Sequence, residues 1–255
     1  MMMNVNSNLA VKQQKASRFT TAIANTQQEV EKCLQLRYEV FANELGASLN
    51  MHASLDKDRF DEYSRHLMVI DNTSRQVVAT TRLLVDTDII HTGCFYSETE
   101  FEISRIINLS GKFMEVGRTC VHSAYRKGAV LAMLWQGIAR IVSLSKINYL
   151  IGCASIPLSS GDQYINSLMH VLRNKHFSQD DQRARPLIPL TVAPTPVSDD
   201  IIMPTLLKAY IRQGGVICGE PYLDAAFGVA DVFVLMDCNK ITARYKRHFM
   251  QRSWG

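Results

Sequence analysis

The 255-residue sequence lacks the motifs of several large enzyme classes. It has no apolar run of about 18 residues, so no membrane-spanning helix is predicted. It has no G-x-S-x-G, H-E-x-x-H, P-loop or G-x-G-x-x-G pattern, which removes most support for hydrolase, zinc protease, NTPase and dinucleotide-binding functions. The six cysteines form no C-x-x-C pair and no Cys/His run with metal spacing. We therefore expect reduced thiols and no metal site.

The two ends of the chain differ in composition from the rest. Residues 1–15 are polar and rich in Asn and Gln, without the apolar segment of a signal peptide, so we expect a flexible leader on a cytoplasmic protein. Residues 240–255 carry five basic side chains, several aromatic ones and no acid. Such a tail can lie on an anionic membrane surface or meet an acidic protein, although a solvated terminus is the plain alternative. The body shows no nucleic-acid motif, so no nucleic-acid partner is expected.

Residues 16–239 are predicted to form a single α/β domain with a mixed sheet flanked by helices. Thr26-Gln27-Gln28-Glu29 is a capping-box pattern that begins a helix, which we expect to end near Gly46. Strand patterns follow at 18–24, 67–70, 77–85, 114–122, 149–154, 216–218 and 232–236. Further helices are predicted at 127–145, from Ser159 or Ser160 to 172, and at 201–212 with Pro204 in the first turn.

Charged residues occur inside segments that otherwise look buried. Arg37 lies in the apolar face of the first helix, Arg82 lies within a strand, and Glu115 and Arg118 lie within the strand at 114–122. Because a buried unpaired charge is costly, each needs a partner, which is either a protein group or a substrate. For Arg37 that partner is a bound anion or the acidic cluster at 56–62.

Glu115 and Arg118 are separated by an odd spacing, which places them on opposite faces of a regular strand. A β-bulge would bring both to one face, and Gly117 is the predicted bulge residue. We therefore predict a bulge near 117–121 that also separates this strand from its neighbour. A structural ion pair is the alternative explanation for the two charges.

Seven stretches, in this order, resemble the GNAT-fold ornithine–acyl carrier protein N-acyltransferases and the related N-acyl amino acid synthases, and the same skeleton is similar to acyl-homoserine-lactone synthases. They are Leu36-Arg37-Tyr38-Glu39-Val40-Phe41, Asp58-Arg59-Phe60-Asp61, Ala79-Thr80-Thr81-Arg82-Leu83-Leu84, Glu115-Val116-Gly117-Arg118-Thr119-Cys120-Val121, Tyr125-Arg126-Lys127-Gly128-Ala129-Val130, Gly152-Cys153-Ala154-Ser155 and Ala230-Asp231-Val232. The resemblance implies a GNAT-like fold. It also implies an amine-acceptor site formed by Arg37, Phe41, Asp58, Asp61 and Arg82, with Glu115 and Arg118 at the catalytic centre.

The implied reaction moves a (3-hydroxy)fatty acyl group from an acyl carrier protein thioester to the α-amine of an amino acid, most simply ornithine, and gives a lyso-ornithine lipid. Glu115 is the predicted base, because an amino-acid amine is mostly protonated at neutral pH. Backbone N–H groups of Thr119, Cys120 and Val121 are expected to hold the carbonyl oxygen. The phosphopantetheine thioester is a co-substrate, and no other cofactor is expected.

The donor is expected to bind at Arg126, Lys127 and Gly128, where a helix begins. CoA-dependent GNAT enzymes usually have Gln/Arg-x-x-Gly-x-Gly/Ala here, whereas this chain has Tyr125 and Val130 at the outer positions. This departure favours a carrier protein over free CoA.

Two alternative functions stay open: an acyl-homoserine-lactone-type synthase, and a non-catalytic module that binds acyl carriers or lipids. An amphiphilic product fits a peripheral position on the inner face of the cell membrane.

Overall fold

A computed structural model describes residues 17–47, 54–126 and 128–240, so most of both predicted ends lies outside it. Within these residues the chain forms ten strands: β1 (Phe19–Ile23), β2 (Arg65–Asp71), β3 (Gln76–Val85), β4 (Phe101–Glu102), β5 (Phe113–Val121), β6 (Tyr149–Pro157), β7 (Arg185–Pro186), β8 (Val216–Ile217), β9 (Tyr222–Asp224) and β10 (Val229–Asp237). Eight of them form one sheet in the order β1-β2-β3-β5-β6-β10-β8, with β9 also paired to β10, and β4 pairs with β7 separately.

The described residues also form six α-helices: α1 (Gln27–Tyr38), α2 (Ile89–Thr92), α3 (Ser104–Ile107), α4 (Ala129–Ser145), α5 (Asp162–Lys175) and α6 (Thr205–Arg212). The predicted capping box is confirmed, since the Thr26 hydroxyl accepts from the Glu29 N–H and the Glu29 carboxylate accepts from the Thr26 N–H. The first helix continues beyond α1 as a π-helix, Glu39–Glu44, before Gly46 adopts φ 75°. A π-helix often marks a functional position.

Two predicted helix starts are wrong. Ser159 and Ser160 do not cap α5, because they lie in a 3-10 turn and Gly161 immediately precedes the helix. Pro204 is not in the first turn of α6, because its backbone is extended (ψ 139°) and the helix begins one residue later.

Apolar side chains cover both faces of the sheet. On one face, Leu134 of α4 belongs to the same buried cluster as Leu83 of β3 and Met114 of β5. On the other face, Leu84 and Phe113 pack in a second, more aromatic cluster. Since successive strand residues alternate between faces, Glu115 points to the face of this second cluster.

The centre of the sheet opens between its two parallel strands. β5 and β6 pair only from Phe113 to Glu115 and from Tyr149 to Ile151. Beyond these residues, and among the described strands, β5 pairs only with β3, and β6 pairs only with β10. The result is a slot between β5 and β6, which confirms that β5 separates from its neighbour.

The predicted bulge is also present. Thr80 pairs with Cys120 and Arg82 pairs with Gly117, so two residues of β5 lie opposite Thr81 alone. Gly117 itself pairs with Arg82, so the prediction that it is the bulge residue is wrong: the bulged residues are Arg118, which adopts a positive φ (49°), and Thr119. The Thr81 hydroxyl donates to the Gly117 carbonyl (3.1 Å) and lies 2.7 Å from the Thr119 hydroxyl, which ties the bulge to β3.

Candidate active site

A cavity that is open to solvent lies at the slot between β5 and β6. Its walls come from β5, β6, α6, β9, β10, the π-helix and the 3-10 turn Tyr96–Thr99. The predicted site residues that line it are Phe41, Arg82, Glu115, Arg118 and Thr119. The bulge therefore brings Glu115 and Arg118 to one cavity despite their odd spacing.

Glu115 is buried and accepts three hydrogen bonds from the 3-10 turn. They come from the N–H groups of Tyr96 and Ser97 (2.7 Å each) and from the Ser97 hydroxyl (2.5 Å). Burial raises the pKa of Glu115, and the hydrogen bonds from Ser97 oppose that shift. The carboxylate thus both anchors the turn and offers a proton acceptor to the cavity.

Arg118 is a buried cation with weak protein partners. Its guanidinium stacks on Tyr96 and Phe227, with 4.7 Å and 4.4 Å to the ring centroids. Its hydrogen bonds to the Tyr96 hydroxyl and to Asp58 are long, at 3.5 and 3.4 Å. Its Nε lies 3.5 Å from Asp56 and has no hydrogen-bond partner in the part of the chain that the structure describes. Such a group retains the capacity to bind an anion in the cavity.

Arg37 differs from Arg118, because protein carboxylates satisfy it fully. Its Nε donates to Asp56 (2.7 Å) and its Nη1 donates to Asp61 (2.6 Å), while the side chain is completely buried. It does not line the cavity. This geometry corrects the prediction that Arg37 contacts the acceptor, and the acidic cluster at 56–62 supplies its partners.

Asp58 and Asp61 are likewise engaged with arginines. The Nη1 of Arg82 donates to Asp58 (2.6 Å) and to Asp61 (3.3 Å). Burial would raise the pKa of Asp61, but Arg37 and Arg82 outweigh it and hold that pKa well below its usual range. Neither aspartate lines the cavity, so the structure does not place them where an acceptor ammonium would bind. Phe41 does line it, with its ring edge-to-face with Phe227.

The predicted donor residues divide between the cavity and the start of α4. Thr119 lines the cavity, whereas Cys120 packs with Leu36 and Val40 against α1, where burial raises the pKa of its thiol to about 12. The Nε of Arg126 donates to the Val121 carbonyl (3.0 Å), and its guanidinium pairs with Glu44. Gly128 adopts φ 92° immediately before α4, and Lys127 lies outside the described residues. Val130 is buried in the core.

Sequence reasoning missed three acidic residues at this site. Glu100, Asp224 and Asp231 each place a carboxylate oxygen within 4.8 Å of the others, and the two aspartates line the cavity. Burial, together with the nearby charge of Asp231, raises the pKa of Glu100 to about 8. Burial, together with the nearby charge of Asp224, raises the pKa of Asp231 to about 6. The one sequence feature that pointed to this group was Asp231, an acidic residue inside an otherwise apolar strand. The three carboxylates are close enough together for their oxygens to bind one metal ion.

Cys153 also lines the cavity but is not an activated nucleophile. Burial, Glu100 and Asp231 all raise the pKa of its thiol well above the usual value. A catalytic cysteine needs a lowered pKa. The site therefore favours direct attack by an amine over a covalent enzyme intermediate.

Comparison with known proteins agrees with this geometry. The sequence model for the acetyltransferase (GNAT) domain matches residues 36–136. The L-ornithine N(alpha)-acyltransferase of Brucella abortus is 30% identical over 89% of this chain and 87% of its own length. The enzyme of the same name from Rhodobacter capsulatus is 29% identical over 91% and 95%. The chain belongs to the L-ornithine N(alpha)-acyltransferase family.

Membership of this family makes the chain a GNAT-fold acyltransferase, as the resemblance implied. Among solved structures, the acyl-homoserine-lactone synthase LasI aligns with a TM-score of 0.54 at 14% identity, covering 92% of this chain and 96% of that one. The CoA-dependent synthase BjaI with MTA aligns with a TM-score of 0.53 at 14% identity, covering 89% and 82%. At this identity the structural likeness supports the shared fold.

Proposed function

We propose that the chain transfers a fatty acyl group from a carrier-protein thioester to the α-amine of ornithine. The observation that carries this proposal is the cavity at the split sheet, which holds a carboxylate with a raised pKa, Glu115, and a weakly paired guanidinium, Arg118. The names of the family members supply ornithine as the acceptor.

In the proposed reaction the amine nitrogen attacks the thioester carbon. Glu115 accepts the proton that the ammonium form of the amine loses before the attack, and its raised pKa brings it closer to the working pH than an ordinary carboxylate. The new C–N bond forms and the C–S bond breaks. The second proton, which the nitrogen loses after the attack, passes to the pantetheine thiolate, which leaves as the thiol. Arg118 binds the acceptor carboxylate. Backbone N–H groups on the open edge of β5, near Thr119, hold the developing oxyanion.

The proposed donor is an acyl carrier protein. The start of α4 offers Gly128 and the exposed Arg126 to a single phosphodiester. Val130 points into the core, so this loop lacks the small residue that a pyrophosphate contact usually requires. A donor with one phosphate on a pantetheine arm needs less of this loop than CoA does.

The test is incubation of the purified chain with ornithine and either 3-hydroxyacyl carrier protein or the matching acyl-CoA, with the products read by mass spectrometry. We expect N-acylornithine from the carrier-protein donor and much less from CoA. Equal rates would contradict the donor assignment. An amide of another amino acid would contradict ornithine, and no product with any acceptor would favour a binding module.

We also propose that the basic tail holds the enzyme on an anionic membrane, where the amphiphilic product is released. None of the helices that the structure describes is both long and apolar enough to cross a bilayer. Deleting residues 241–255 is expected to reduce sedimentation with anionic vesicles and to leave the low binding to neutral vesicles unchanged. A variant with the tail arginines and lysines replaced by Gln is the matched control for charge. Undiminished binding of the deletion would contradict the proposal.

A further inference from the structure

The acidic trio of Glu100, Asp224 and Asp231 has no role in the reaction described so far. Asp224 and Asp231 line the cavity, and a carboxylate oxygen of Glu100 lies within 4.8 Å of both. Glu100 ends the 3-10 turn, Asp224 ends β9, and Asp231 lies on the neighbouring β10. Glu100 and Asp231 are only 3% and 4% exposed. Three carboxylates this close and this buried cannot all be ionised unless a cation lies between them.

No lysine or arginine within the described ranges makes an ion pair with the trio. Arg37, Arg82 and Arg118 pair with three other aspartates. Burial raises the pKa of Asp231, and the charge of Arg118 offsets only part of that rise. The trio also has few hydrogen-bond donors. Asp231 accepts from the Ser155 hydroxyl (2.6 Å), and Asp224 accepts from one backbone N–H (3.0 Å). Tyr96 and Cys153 donate to the Glu100 carboxyl, but its buried Oε2 has no donor among the described residues.

An ammonium group can supply both the positive charge and the hydrogen-bond donors that the trio lacks, and it does so better than a metal ion. It has three N–H donors, which matches three carboxylate oxygens. Mg²⁺ and Ca²⁺ require about six or more oxygen ligands, whereas two of the three carboxylates here already share an oxygen with a protein donor.

The trio and Glu115 are separate carboxylate positions that both lie near Cys153. The Ser97 hydroxyl binds Glu115 and lies 3.5 Å from the Cys153 sulfur, while burial together with Glu100 and Asp231 raises the pKa of the same thiol. One cavity therefore offers two places for the amines of a diamino acid, with Arg118 available for its carboxylate.

We propose that Glu100, Asp224 and Asp231 bind the side-chain ammonium of the acceptor and so determine selectivity for a diamino acid, while the α-amine faces Glu115. This inference rests on the proposed acyl transfer to an amino acid. It places the side-chain ammonium at the trio and not at Asp58 or Asp61, the aspartates of the acceptor site that the resemblance implies.

The test compares kcat/KM for ornithine and for norvaline, which has the same carbon chain without the terminal amine. The wild type is expected to prefer ornithine strongly. Asp231→Asn keeps an acceptor for Ser155 but removes the charge. It is expected to lower kcat/KM for ornithine by about 30-fold or more, mostly through KM, with a much smaller change for norvaline. Asp224→Asn, at the least buried member, is a second variant with the same expected direction.

Asp237→Asn is the matched control, because Asp237 lies on the same strand and pairs with Lys240 away from the cavity. It is expected to keep the wild-type ratio. If the wild type acylates ornithine and both trio variants keep its preference, the inference fails while the proposed function stands. If the wild type makes no N-acylornithine, the proposed function fails first. If calorimetry shows that Mg²⁺ or Ca²⁺ binds the wild type but not Asp231→Asn, and ornithine selectivity requires that ion, the ammonium assignment is overturned.

Discussion

Replacing Glu100 by Gln is expected to change how the free energy of unfolding depends on pH. Burial and the neighbouring Asp231 raise the pKa of Glu100 from 4.5 to about 8. The groups that face it are Tyr96, Cys153, Asp224 and Asp231. Between these two pKa values the folded protein keeps a proton that the unfolded chain releases, so this group makes the fold less stable as pH rises.

The magnitude follows from the size of the pKa shift. At about 1.4 kcal/mol per unit, the wild type should lose about 3 kcal/mol from this group between pH 4.5 and pH 7. That is a large part of the 5–15 kcal/mol typical of a domain. Gln resembles the protonated carboxyl and cannot ionise, so the variant should not lose this amount.

Urea unfolding at pH 5, 6, 7 and 8 measures this difference directly. We expect the stability of Glu100→Gln relative to the wild type to increase by about 1 kcal/mol per pH unit up to pH 7, and to level off near pH 8. Glu62→Gln, the same substitution at an exposed position, is the control and should run parallel to the wild type. If Glu100→Gln also runs parallel, Glu100 is ionised in the free enzyme, and the account of an uncompensated acidic trio is wrong.

Three further substitutions test the site. Arg37→Ala should lower the free energy of unfolding, measured in urea, by about 3–5 kcal/mol, because it leaves buried carboxylates unpaired. If the variant keeps its stability and instead shows a raised KM for ornithine, Arg37 binds the substrate. Gly152→Ala places a Cβ too close to the Val116 carbonyl oxygen and should lower the melting temperature, whereas a Cβ at Gly117 meets no atom of the described residues within 4 Å. Equal effects of Gly152→Ala and Gly117→Ala would refute the close approach of β5 and β6. Glu115→Gln should lower kcat by about 100-fold or more and cost about 1–3 kcal/mol of stability, and an unchanged kcat would remove the base role.

Local sequence signals predicted the elements that local chemistry determines. The capping box at Thr26 was readable because both partners lie within one turn. The bulge in β5 was readable because two charges at an odd spacing in a buried strand demand a common face. The position of positive φ was not readable, because Arg118 adopts it under constraints from Thr81 and the aromatic rings that it contacts, all distant in sequence.

The sequence could not distinguish an arginine that pairs with protein carboxylates from one that is available to a substrate. Arg37 and Arg118 both look like buried cations that need anions, and the resemblance placed both at the site. Folding gives Arg37 two short ion pairs, whereas the Nε of Arg118 has no hydrogen-bond partner among the described residues and lies 3.5 Å from Asp56. The acidic trio was invisible for a related reason, since the pairing of Asp231 with Ser155 and of β9 with β10 brings together residues from separate segments.

The charges around the cavity are divided in a way that suits a diamino acid. Three arginines face three aspartates on the side of α1 and β3, so this side is close to neutral and leaves only the spare donor capacity of Arg118. Four carboxyls, those of Glu115 and the trio, lie on the other side without an arginine or lysine ion pair among the described residues. An acceptor with one carboxylate and two amines complements this division. With a neutral acceptor side chain, a proton held on Glu100 is what limits the repulsion within the trio, whereas an acceptor that brings a second cation lets all three acids ionise.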